Sequence, residues 1–235
     1  MITFILKICI AVYLIVMIQQ VHSMIQYNSN AVVKTIQIPN KDKINDELKN
    51  KHPLLIIYPE NKLGYTLESM NQIKPGYIIQ DGKSLLSLDK LCTSQQLSVY
   101  DNEKIIQDYN LSDHCDQLYN LVKSQFSCDN SYKLSLLKGN NQSKLYKNYR
   151  EHLMIQSINN EFNLYLFNPK HESDIKGLEL KSIKKWGIKL EVAKDSIVYI
   201  PTEWSYFYET NEELLLLKIE CDSIPTWLFN KIRKK

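Results

Sequence analysis

Between residues 153 and 220 the chain is a succession of short apolar segments parted by polar joints, and no other feature constrains the fold as much. Residues 153–158 are apolar enough for a buried strand. Phe162, Leu164 and Leu166 alternate with Asn163, Tyr165 and Phe167, while Ile188, Leu190 and Val192 alternate with Lys189 and Glu191. A period of two places alternate side chains on opposite faces of a strand. Residues 196–200, 205–209 and 214–220 continue the series. Many short strands with polar joints fit a β-sandwich or a jelly roll.

The first half reads differently. Residues 53–58 form a compact apolar strand closed by Pro59, and residues 77–80 a second, between Pro75-Gly76 and Asp81-Gly82 turn signals. Residues 85–97 have helical spacing. Residues 113–126 make the clearest helix: Cys115, Leu118, Tyr119, Val122 and Phe126 recur on one face, with Asp113 as N-cap.

Residues 1–23 form a targeting segment, a signal peptide or a membrane anchor. Lys7 ends a short n-region and residues 8–18 are an uninterrupted apolar run. With Lys7 on the cytoplasmic side, the body enters the secretory lumen. If uncleaved, the segment contacts the membrane. Residues 24–51 read as a polar arm, with a strand near 32–38 and a linker or solvated helix at 40–51. Residues 52–230 form the main domain, and the basic tail 231–235 is a solvated chain end. An oxidising lumen suits the four cysteines outside the targeting segment, Cys92, Cys115, Cys128 and Cys221, as disulfide candidates. The sequons at Asn110 and Asn141 are glycosylation candidates.

Charge is nearly balanced, with 29 Lys+Arg against 26 Asp+Glu. No concentrated basic face marks a nucleic-acid partner. Only 6 glycines are present, and no glycine-rich phosphate loop is found.

One stretch is more specific. Residues 196–209 run as an apolar strand into Pro201, then to Trp204, then into an aromatic strand. This resembles the closing motif of the cupin-like branch of the JmjC oxygenases, the factor-inhibiting asparaginyl hydroxylase type. That family's pattern is Gly-Asp, a short apolar strand, Ile-Pro, two residues, Trp, any residue, His. Its final His binds iron; Tyr206 stands in that place here, and Asp195-Ser196 stands at the Gly-Asp turn. Residues 160–169 look like the family's Gly-x-Lys-x-Trp-x-Leu-Phe/Tyr-x-Pro strand. Leu166, Phe167 and Pro169 match, Asn160 replaces Gly, Leu164 replaces Trp, and Phe162 replaces the Lys that binds oxoglutarate in many relatives. Counting back to the family's His-x-Asp leads to Lys147-Asn148-Tyr149. The resemblance covers residues 147–222.

The resemblance implies a mainly β fold, a jelly roll (double-stranded β-helix, cupin-like) with a few helices in the N-terminal half. It also implies vestigial ligand positions at Lys147, Tyr149 and Tyr206, a lost cosubstrate position at Phe162, and no cofactor. Iron(II) oxygenases of this kind need two His and a carboxylate on one face. The resulting expectation is a non-catalytic pseudoenzyme that binds a protein segment or a glycan. One alternative is an active iron(II)/2-oxoglutarate oxygenase with displaced ligands His114, Asp116 and His171; another is a structural or host-interaction glycoprotein. His114-Cys115-Asp116 is the only His-x-Asp in the chain, but it lies in the predicted helix, where side chains two apart diverge. His152 and His171, beside Glu151 and Glu172, read as surface or loop residues. There is no Gly-x-Ser-x-Gly elbow. Trp204, Tyr206, Phe207 and Tyr208 read mostly as core.

Overall fold

The structure, a computed structural model, describes residues 2–37, 40–58, 63–81, 84–124 and 126–233. Met1, Ile38, Pro59, Gly82, Lys234 and Lys235, which enter the sequence expectations above, lie outside these residues. In chain order the first half contains α1 (Ile2–Ile25), β1 (Lys34–Gln37), α2 (Lys41–Lys49), β2 (Leu54–Ile57), α3 (Leu67–Ile73), β3 (Ile78–Asp81), β4 (Ser84–Ser87), α4 (Leu88–Thr93), β5 (Leu97–Asn102), α5 (Lys104–Asp108) and α6 (Ser112–Val122). The second half contains β6 (Ser127–Lys138), β7 (Asn141–Gln142), β8 (Tyr146–Lys147), β9 (His152–Ser157), β10 (Phe162–Phe167), α7 (Glu172–Ile175), α8 (Leu180–Ile183), β11 (Ile188–Val192), β12 (Ile197–Pro201), β13 (Ser205–Thr210), β14 (Leu214–Ser223) and α9 (Ile224–Arg233).

The body is mainly β, built on several sheets. The large sheet has the order β1-β2-β12-β9-β14-β6-β5. Only the β1–β2 pair in it is parallel. A second sheet runs β11-β10-β13-β7, with β8 also pairing with β13. β3 and β4 form a separate two-stranded sheet.

Side-chain alternation sorts the core into layers. On β14, Leu214 and Leu216 join Leu153, Ile155, Leu164, Val198 and Trp204 in a core shared by the two main sheets. Leu215, Leu217, Ile219 and Cys221 point the other way, into a core with the first-half helices. Leu67, Leu88, Leu91, Ile105, Leu118 and Val122 supply the helical side. A third cluster packs Ile175 and Ile183 of α7 and α8 against Tyr165, Phe167 and Phe207, on the outer face of the second sheet.

Several sequence expectations change. The arm contributes to the body: β1 pairs with β2, and Ile44 of α2 is fully buried in the helix-side core. The 85–97 segment divides into β4, α4 and the start of β5. The 113–126 helix runs from Ser112 to Val122, with Leu111 rather than Asp113 at its N-cap. Beyond it Ser124 and Ser127 bond to each other and turn the chain, which leaves Phe126 exposed. Helices are not confined to the first half. The "tail" residues Lys231 and Arg233 belong to α9.

α1 carries no Gly or Pro, and its Phe4–Ser23 stretch has a mean hydropathy of 2.2, long and apolar enough to cross a membrane. The side chain of Lys51 closes its C-terminal end, donating to the carbonyls of Ser23 and, at 2.7 Å, Gln26.

Candidate functional site

The site lies between the two main sheets, where the inward residues of β14 change character. Leu214 and Leu216 are followed on the same face by Lys218 and Glu220. Lys218 is nonetheless fully buried. Its Nζ lies 2.7 Å from Asp101 Oδ1 and 4.2 Å from the centre of the Tyr146 ring. The rings of Tyr206 and Tyr208 are each 5.8 Å away. Tyr146 stacks on Tyr206 with ring centres 5.3 Å apart, and on Tyr208 at 6.4 Å. The aromatic faces supply negative potential around the ammonium, and the carboxylate supplies the counter-charge. Burial lowers the pKa of Lys218, while Asp101 opposes that shift.

Asp101 reaches this position through an irregularity. The β5–β6 register shifts between Val99 and Asn102, and Asp101 takes a left-handed backbone at φ 53°. Asp tolerates that region better than most side chains. Its backbone N–H donates to Ser135 Oγ at 3.0 Å.

The buried ammonium borders a pocket of about 240 Å³ that is also lined by Tyr146, Lys147, Tyr149, Arg150, Tyr206 and Glu220. Arg150 Nη1 lies 2.7 Å from Asp129 Oδ2 and 2.7 Å from Asp222 Oδ2. Lys133 lies 2.8 Å from Glu220. Lys147 pairs with Glu172 at 2.7 Å and with Glu203 at 2.9 Å. Burial works to lower the pKa of Lys147, but the bonds to Glu172 and Glu203 outweigh it and hold the value raised. Tyr149 is exposed, with the Arg233 guanidinium 4.4 Å above its ring.

All three positions proposed from the sequence therefore line one pocket, but in a different register. Tyr206 is opposite Tyr146 and Lys147 is opposite Ser205, so Tyr146 is the inward residue of β8. A slip of one residue exchanges the faces of a strand. The Lys147 side chain goes to Glu172 and Glu203 instead of joining the phenols around Lys218. Phe162 faces inward as expected and packs edge-on against Tyr208 at 6.2 Å. Burial, with smaller contributions from Asp101 and Glu220, raises the Tyr206 phenol well above its ordinary pKa, which keeps it neutral.

The displaced ligands do not converge. His114 Nε2 is 2.8 Å from Gln156 Oε1, on the helix side of the large sheet. Asp116 accepts from the Tyr132 hydroxyl at 2.5 Å. His171 stands beside Trp186, with ring centres 5.3 Å apart, and beside Asp174. Among the described residues no group of three His, Cys, Asp or Glu could hold a metal ion.

The expected disulfides are not formed either: all five cysteines are free thiols. Cys92 Sγ is bonded to the Leu67 carbonyl at 3.5 Å, Cys128 Sγ to the Asp222 carbonyl at 3.7 Å, and Cys115 and Cys221 are packed into the helix-side core. Of the sequon residues, Asn110 is exposed. Asn141 is buried, and its amide donates to the Lys138 carbonyl at 2.6 Å and to that of Gly139 at 3.3 Å.

Two features escaped sequence reasoning. Lys218 is the one charge inside the apolar run 214–219, and that placement is itself a signal of a buried, paired ion. Glu151 and His152, read as surface residues, line a larger cavity of about 440 Å³ on the helix side. Glu151 lies just outside β9, so strand alternation does not separate it from His152. Its Oε2 accepts from Ser223 N–H and from Thr226 Oγ1, both at 2.9 Å. His152 Nδ1 is 3.3 Å from the Tyr199 hydroxyl.

No family model matches the chain, and no curated protein matches it.

Proposed function

We propose that this protein is a jelly-roll domain without metal chemistry, acting in the secretory pathway as a binding module for a protein segment or a glycan. Numbered from β6, with β7 and β8 together as the second strand, the main sheets hold the orders 1-8-3-6 and 2-7-4-5. This interleaving is what supports a jelly roll, or double-stranded β-helix. The resemblance of residues 147–222 to the cupin-like JmjC domains is in accord with it. α1 has the length and hydropathy to deliver the body to the lumen, as a signal or as an anchor.

One observation carries the non-catalytic reading. The Lys218 ammonium sits among Tyr146, Tyr206 and Tyr208, with Asp101 as its partner. A divalent ion held beside Tyr206 would meet this fixed cation, and it would meet neutral phenols in place of imidazole and carboxylate. Phe162 offers no charge to a dicarboxylate. The charged and phenolic rim formed by Lys147, Tyr149 and Arg150 suits a polar ligand.

The test has two parts. The purified lumenal domain is titrated anaerobically with cobalt(II) or iron(II), with and without oxoglutarate. Neither is expected to bind; stoichiometric metal binding overturns the non-catalytic reading. A photo-crosslinking residue placed at Tyr149 is expected to give a discrete adduct that excess unlabelled domain suppresses. Absence of any competable adduct overturns the binding role.

A further inference from the structure

α9 presents two faces. Pro225, Thr226 and Asn230 are buried against the body. Thr226 holds Glu151, and Asn230 Nδ2 donates to the Tyr149 carbonyl at 2.7 Å. Ile224, Trp227, Leu228 and Ile232 point away and are 36–73 % exposed. Their spacing places them on one stripe. Lys231 falls within that stripe, with its ammonium 5.6 Å above the Trp227 ring. The sequence then ends Arg233-Lys234-Lys235.

α1 indicates what covers the stripe. Its described side chains are exposed except Met17 and Val21, which are half-buried and one turn apart near the C-terminal end of the apolar stretch. α1 packs against α9, and Lys51 ties the end of α1 to the body. α9 therefore stands beside the last turns of a helix long enough to span a bilayer. Where residues 4–23 cross, the membrane surface lies at the level of those turns.

We infer that α9 is an in-plane membrane helix, its apolar stripe buried at the headgroup boundary of the bilayer that α1 spans. Trp227 suits that boundary, where one side of the ring meets hydrocarbon and the other meets water. Lys231 extends its stem along the apolar stripe and its charge to the headgroups. This inference rests on α1 being retained as an anchor.

The test uses the full chain in nanodiscs of phosphatidylcholine and phosphatidylserine. The protein has three tryptophans, Trp186, Trp204 and Trp227, and none lies in α1. Lipids brominated near the top of the acyl chain are expected to quench part of the emission, and Trp227→Phe is expected to abolish that quenching. Carbonate extraction of membranes containing the chain reports separately on α1. A chain retained by the membrane without Trp227-specific quenching overturns the α9 inference and leaves the anchor standing. A chain released by carbonate overturns the anchor and this inference with it. Retained chains that are unquenched and cross-link in pairs through α9 assign the stripe to a second copy, which also overturns it.

Discussion

The Lys218 ammonium and the Asp101 carboxylate meet at 2.7 Å between the two main sheets, with the lysine side chain 2 % exposed. Removing one partner of such a pair leaves an uncompensated buried charge, at a cost of about 3–5 kcal/mol. Asp101→Asn keeps the shape and tolerates the left-handed backbone, so it isolates the charge. Urea unfolding at pH 7 should show a loss of that order. Burial already holds the pKa of Lys218 below its ordinary value. The unfolded chain therefore binds more protons over the range between the folded and unfolded values, and stability of the variant should rise with pH there. The double variant Asp101→Asn/Lys218→Met should return to within about 1 kcal/mol of wild type. A loss below about 1 kcal/mol in the single variant would exclude a buried ion pair.

Acid should destabilise the protein through two histidines. Burial lowers the pKa of His114 despite its Gln156 bond, and lowers that of His152 despite Glu151. A histidine folded below its unfolded value, about 6.5, contributes stability that is complete above that value and lost as pH falls toward the folded value. Glu151 acts in a lower window. Burial would raise its pKa, but His152, Ser223 and Thr226 outweigh burial, so its contribution is lost only as pH falls below the ordinary carboxylate range. Calorimetry should show a lower Tm at pH 5.5 than at pH 7.5, with part of the difference removed by His114→Asn. An unchanged Tm would count against both buried imidazoles.

The free thiols should differ in reactivity. Burial pushes the Cys115 thiol up to about 12 and raises that of Cys221 further. Thiolate is the reactive form, so both should be silent toward an aromatic disulfide reagent until the chain unfolds. Burial and the nearby acids raise the Cys128 thiol as well, but it is exposed and should react, slowly, in the native protein. Disulfide-linked peptides in unreduced material would contradict this assignment.

Glycan attachment should be confined to Asn110. Its side chain is exposed, whereas a sugar on Asn141 would replace a hydrogen of a buried amide that donates to the Lys138 and Gly139 carbonyls. In a eukaryotic secretory host, Asn110→Gln should abolish the mobility shift on glycan removal, and Asn141→Gln should leave it intact.

The register at β8 can be read from stability. Tyr146 is stacked between the sheets, and its truncation to Ala should cost about 3 kcal/mol. Tyr149→Ala should cost less than about 1 kcal/mol, because that ring lies at the exposed rim. Equal losses would mean that the inward face had been misassigned.

These two tyrosines also mark where sequence reasoning stopped. Apolar runs and period-two alternation located β9 to β13 within a residue or two, and the start of β14, because each strand buries one or both faces and its side chains record it. β8 has only two residues, too few to establish a period, so alternation could not say which of Tyr146 and Lys147 faces inward. Phe162 faces inward with Leu164 and Leu166, as the alternating series it begins predicts. Lys218 and Asp101 come from opposite halves of the chain, and their pairing depends on a β5 irregularity that leaves no periodic trace. The 40–51 stretch looked solvated because Ile44 and Leu48 are its only apolar residues, and only packing in the helix-side core gives them a role.

The strand order has a consequence for how the protein is made. β2 lies in the sheet between β1 and β12, and β14 lies between β6 and β9. The first-half helices pack on Leu215, Leu217 and Ile219 of β14, a strand that follows them only after β6 to β13. During synthesis these helices have no complete surface to cover, so their apolar faces wait until β14 has been made. Folding is therefore a non-local event, and the waiting chain depends on chaperones more than a protein built from local contacts would.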